Sequence, residues 1–130
     1  MEKARRFEEL LIWQNSRQLS KEIYNIFKDK NLFCDRPLSN QIIRSSSSIM
    51  DNVAEGFERG GNKEFLQYLW ISKASAGECR SQLYRAFDTE IIDEKQFNDL
   101  KTKVESLSIG LFKFISIIKN SEFKGQKYVK

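Results

Sequence analysis

Apolar positions recur along most of the chain at intervals of three and four, the spacing that stacks side chains on one face of a helix. The pattern is fullest between Pro37 and Gly61. There Leu38, Ile42, Ser45, Ile49, Val53 and Phe57 mark an apolar or small face. Gln41, Arg44, Ser48, Asn52 and Glu55 mark a polar face beside it. Pro37 suits a first helical turn, where its missing N–H costs nothing, and Gly60-Gly61 is a stop signal. Gly56 lies inside the pattern and costs ~1 kcal/mol against Ala unless close packing needs it. The run Ser45–Ser48 breaks neither stripe, so it predicts helix whose small side chains let a neighbour approach, at a cost in propensity.

Three other segments carry the same period. The first spans about 7–27, with one stripe of Ile12, Ser16, Leu19, Ile23 and Ile26 and a second of Leu10, Trp13, Arg17, Tyr24 and Phe27. The third spans about 63–88, with Asn62 expected to cap it. Its stripe is Phe65, Tyr68, Ser72, Ala76, Cys79, Leu83 and Ala86, beside a polar line of Ser75, Glu78 and Gln82. The fourth spans about 93–119, opens on an Asp93/Gln96 capping box, and keeps the heptad Phe97, Leu100, Val104, Leu107, Leu111, Phe114 and Ile118. The organising helix covers about 37–59, and nothing alternates at period two. The expected fold is all-α, an antiparallel up-and-down four-helix bundle over residues 1–120 followed by a basic C-terminal tail, 121–130.

Composition narrows the function. The 130 residues suffice for one domain with a real core. His is absent, which removes Ser-His and Cys-His nucleophile pairs, His-based zinc sites and His acid–base catalysis together. Cys34 and Cys79 have no metal-ligand spacing and, with no signal peptide in view, are expected to be reduced cytoplasmic thiols. The longest apolar run, Ile109 to Ile118, is broken by Lys113 and falls well short of the ~20 residues of a membrane span. No metal, cofactor or small-molecule substrate is expected. The net charge of +4 is drawn from the two ends: +2 in residues 1–30 and +3 in residues 91–130, with −1 and 0 in the stretches between. Lys3, Arg5, Arg6, Lys124, Lys127 and Lys130 are therefore the candidate nucleic-acid contacts, a mild footprint that a plain solubilising end would also give.

Two further groups stand out. Gln41, Arg44, Ser48, Asn52 and Glu55 facing Ser75 and Glu78 suggest a buried polar network, with Arg44 paired to Glu78, that fixes helix register or a subunit contact. The same groups are weak as a catalytic site, because no nucleophile accompanies them. Trp13, Tyr24, Trp70 and Tyr84 exceed what one small bundle needs to bury, so they either thicken the core or form the candidate oligomer or partner face.

The order Gln41-x-x-Arg44-x-x-x-Ser48-Ile49-x-x-Asn52-Val53-Ala54-Glu55-Gly56-Phe57-x-Arg59 resembles the bacterial four-helix bundle proteins that include those encoded by intervening sequences within 23S rRNA genes. Phe65-x-x-Tyr68-Leu69-x-Ile71-x-x-x-Ser75-x-x-Glu78 continues the likeness, which covers roughly Phe7 to Ile118. Such proteins are similar to the accessory variability determinant of diversity-generating retroelements, a homopentamer that engages nucleic acid. The resemblance implies a ring-like homo-oligomer, with a pentamer favoured, no enzymatic activity, and a structural role for Gln41, Arg44, Ser48, Asn52, Glu55, Gly56, Ser75 and Glu78. The expected function is a non-enzymatic, RNA-binding accessory factor. The alternative is a protein–protein scaffold that binds no nucleic acid.

Overall fold

The computed structural model describes residues 4–31 and 36–121. Four helices, α1 (Leu11–Phe27), α2 (Arg36–Glu58), α3 (Asn62–Asp88) and α4 (Glu94–Lys119), pack into a bundle, and the described residues contain no strand. The apolar stripes face inward. Leu38, Ile42, Ile49, Val53 and Phe57 of α2, and all seven heptad residues of α4 from Phe97 to Ile118, are buried. The rings of Phe57, Phe65 and Phe114 meet edge to face in the core, at 6.0 Å for the first pair and 5.7 Å for the second.

Helix ends follow local chemistry. Asp93 accepts from the Gln96 backbone N–H at 2.7 Å while the Gln96 side chain accepts from the Asp93 N–H at 3.1 Å, so α4 opens on a reciprocal cap. Gly60 ends α2 in a left-handed conformation, φ 86°. Two boundaries differ from the periodicity. Phe7–Glu9 form a 3-10 turn and Leu10 is extended, so the α-helix starts at Leu11. The Glu9 carboxylate takes the Arg5 and Arg6 backbone N–H groups, Phe7 packs edge-on to Trp13 at 5.1 Å, and Leu10 drops into the core. At α3 the cap position is Gly61, not Asn62: the Gly61 carbonyl accepts the first helical bond, from Phe65.

The seams are unequal. α2 packs most extensively on α3, then α3 on α4 and α1 on α2, and α1 meets α4 least. Between α2 and α3 the contacts step from Gln41–Arg85 through Ser45–Gln82 and Ser48–Ser75 to Glu55–Tyr68. The serine run sits where α2 touches two neighbours. Ser47 shares a hydrogen bond with Ser20 of α1 at 3.2 Å, whereas Ser45 and Ser48 reach α3. Gly56 marks the closest approach to α3, since a Cβ there would lie 2.6 Å from Tyr68 Cβ and 2.9 Å from the Phe65 ring. The Tyr68 Cβ is fixed to its backbone and cannot rotate away. Gly56→Ala is therefore expected to lower unfolding free energy by about 1–2 kcal/mol in urea denaturation, because overpacking outweighs the gain in helix propensity.

Candidate functional site

The polar groups expected between α2 and α3 divide into a joined set and an outlying set. Ser48 and Ser75 share a hydrogen bond of 3.0 Å, and Asn52 Nδ2 donates to the Ser48 carbonyl at 2.8 Å and its hydroxyl at 2.9 Å. Gln41 accepts from Arg85 at 3.4 Å on the surface. Glu55 forms an exposed cluster with Arg59, at 3.5 Å, and the Tyr68 hydroxyl, at 3.4 Å.

The expected Arg44–Glu78 pair is not formed: both side chains are exposed and no ion pair joins them among the described residues. Ser45 and Ser48 take the α3 seam, and Arg44 is turned about 100° from Ser45 around α2, toward solvent. Arg44 and Glu55 stand three turns apart on one helix, about 16 Å along its axis.

The buried polar pair is another one. Ser45 Oγ donates to Gln82 Oε1 at 2.7 Å, both residues being buried, and Ser72 Oγ donates to the Ile49 carbonyl at 2.7 Å. The sequence placed Gln82 on a polar line and Ser72 on an apolar stripe; the partner of each depends on the α2–α3 register. Burial pushes the Cys79 thiol up to about 12, with a hydrogen bond to Ser45 acting the other way and the Glu78 charge adding to the rise. No group of three or more Cys, Asp or Glu residues is placed to hold a metal ion among the described residues.

The four candidate interface aromatics do not form one surface. Trp13 is half-buried against Phe7 with the Arg17 guanidinium over its ring at 5.7 Å. Tyr84 packs edge-on to Phe97 at 4.9 Å, Trp70 packs on Phe112 at 6.4 Å, and Tyr24 on α1 is 52% exposed with the Lys28 ammonium over its ring at 5.9 Å. Exposed apolar area is spread over three helices: Leu11 of α1 is 62% exposed, Ile71 of α3 49%, and Ile109 and Phe112 of α4 58% and 52%. The weak α1–α4 seam opens into a groove of about 610 Å³, walled by Leu11, Leu19, Leu107, Phe114 and Ile117, of which Leu11 and Ile117 are exposed. Across it Lys103 pairs with Glu22 at 2.6 Å and with Asp99 of its own helix at 3.2 Å. The signal for this groove is Leu11 with the off-heptad Ile117, which the heptad of α4 masks.

Of the candidate cations, Arg5 and Arg6 are exposed, but Arg6 is held by Glu8 at 2.9 Å. Lys3, Lys124, Lys127 and Lys130 lie outside the described residues.

The chain and its four-helix fold match a known class. The model of the 23S rRNA-intervening sequence protein family matches residues 8–113, and the chain belongs to that family. Its structure is similar to the crystal structure of a protein with unknown function from the S23 ribosomal protein family of Bacteroides thetaiotaomicron, with TM-score 0.73 and 24% identity over 82% of this chain and 96% of the other. That likeness concerns the fold. Comparison with the curated proteins found no match.

Two outcomes follow from the α2–α3 seam. Ser45→Ala removes the donor to a buried Gln82 carbonyl and is expected to cost about 1–2 kcal/mol in urea unfolding, part of which Ser45→Ala/Gln82→Leu recovers. For Cys79, the unfolded thiol ionises near pH ~9 while the folded one stays protonated to about pH 12. Stability is then fully present below pH ~9 and falls as pH rises toward 12, a slope that Cys79→Ala should flatten in chemical denaturation between pH 8 and 10.5.

Proposed function

We propose that the protein is a non-enzymatic, antiparallel up-and-down bundle whose copies associate through the α1–α4 face into a ring-like homo-oligomer, a pentamer favoured, and that this assembly acts in the cytoplasm as a nucleic-acid-binding accessory factor, RNA first. The observation that carries self-assembly is the groove of about 610 Å³ walled in part by the exposed Leu11 and Ile117. Apolar surface of this kind, left open by the weakest seam, is what an interface covers. Membership of a family described by a 23S rRNA intervening sequence supports RNA as the ligand. The absence of His from the sequence and the pairing of exposed Glu55 with Arg59 favour a non-enzymatic role. The alternative scaffold role, without nucleic acid, rests on the same groove taking a foreign helix.

Light scattering at micromolar concentration is expected to give a mass near five times the 15.3 kDa chain. Leu11→Glu/Ile117→Glu should reduce it to one chain with helix content unchanged, because both side chains are exposed in the groove. A wild-type monomer would overturn the assembly.

A further inference from the structure

We infer that the outer face of α1 binds single-stranded RNA, with cations on the phosphates and aromatic rings on the bases. The inference rests on the nucleic-acid reading above and assigns it to a surface away from the chain ends. At about 100° per residue, Trp13, Arg17, Lys21, Tyr24 and Lys28 fall within about 80° of arc on one side of α1. That sector holds no carboxylate. Glu22, the sole acid of α1, is turned away to Lys103 on α4. None of Arg17, Lys21 and Lys28 pairs with a carboxylate among the described residues.

The aromatics are interleaved with these charges. Arg17 covers Trp13 at 5.7 Å, Lys28 covers Tyr24 at 5.9 Å, and the two rings stand three turns apart, about 16 Å along the helix. A notch of about 220 Å³ opens beside Trp13, walled by Arg17 and Lys21 and by the amides of Gln14 and Gln18. Cations fix a phosphate backbone, exposed rings stack on unpaired bases, and side-chain amides offer hydrogen bonds to base edges and ribose hydroxyls. Duplex RNA keeps its bases stacked and gives Tyr24 nothing to hold, so the face favours single strands. The chain-end Arg6 is already committed to Glu8. The strip is centred about 140° around α1 from Leu11, Asn15 and Glu22, which line the α1–α4 groove.

The test is fluorescence anisotropy of the full chain with a labelled 20-nucleotide single-stranded RNA of mixed sequence, its duplex, and DNA of the same sequence, with light scattering to confirm unchanged mass. Arg17→Gln/Lys21→Gln should weaken RNA binding at least ~10-fold and reduce the slope of log affinity against log salt by about 1.4. Tyr24→Ala, at an exposed position, should weaken it ~10-fold with the slope unchanged. The charge-matched control Lys63→Gln/Lys95→Gln, on α3 and α4, should do neither. Equal binding of duplex or DNA, or an equal loss in the control, overturns the assignment. RNA binding that survives the α1 variants overturns this surface and leaves the RNA-binding function standing. A wild-type protein that binds no nucleic acid overturns both.

Discussion

Everything in this bundle hangs on how closely α2 can approach two neighbours at once. Ser45, Ser46, Ser47 and Ser48 put four short side chains in one turn, and each hydroxyl is satisfied. Ser46 and Ser47 return hydrogen bonds to the Ile43 carbonyl at 2.9 and 2.8 Å, while Ser45, Ser47 and Ser48 also reach other helices. A larger residue there would hold the helices apart, and an apolar one would leave Gln82 without its donor. Gly56, three turns on from Ser45, sets the same close spacing to α3. The seam thus trades helix propensity for contact, which is favourable only because the contact is buried.

That tight side of the bundle has a loose counterpart. With α2 holding α1 and α3, α4 is packed chiefly on α3 and meets α1 thinly. The contact they make is partly electrostatic, Lys103 to Glu22, between side chains that are 41% and 31% exposed. Partly exposed pairs contribute little, so this seam resists separation less than the serine seam does. Two apolar residues that line it, Leu11 and Ile117, remain open to solvent. One helix pair is closed by shape and the other left with unburied surface, and this asymmetry gives the molecule a defined outward face.

How far the amino-acid pattern reaches is visible residue by residue. The stripe of α2 and the heptad of α4 are buried as the three-and-four spacing requires, because a side chain's face on a helix is a local property. The Asp93–Gln96 cap is local too, three residues closing on themselves. The start of α1 is not, since Leu10 leaves the helix to enter a core formed by other elements. Pairing across helices is further still from the local pattern. Arg44 and Ser45 are neighbours, yet only Ser45 meets α3, and the rotation of α2 against α3 decides which.

The sequence by itself determined the helices, their inward faces, the lack of any His-based chemistry and, through the signature from Gln41 to Arg59, the family. Tertiary structure decided the rest: that Gln82 is the buried partner of Ser45, that Arg44 and Glu78 face solvent, that the surplus aromatics are divided between α1 and the α3–α4 seam, and that an apolar groove opens between α1 and α4. The physical reason is one of range. Periodicity fixes which residues turn inward along a single helix, whereas partner, burial and exposed surface depend on the rotation and spacing of helices distant in the chain.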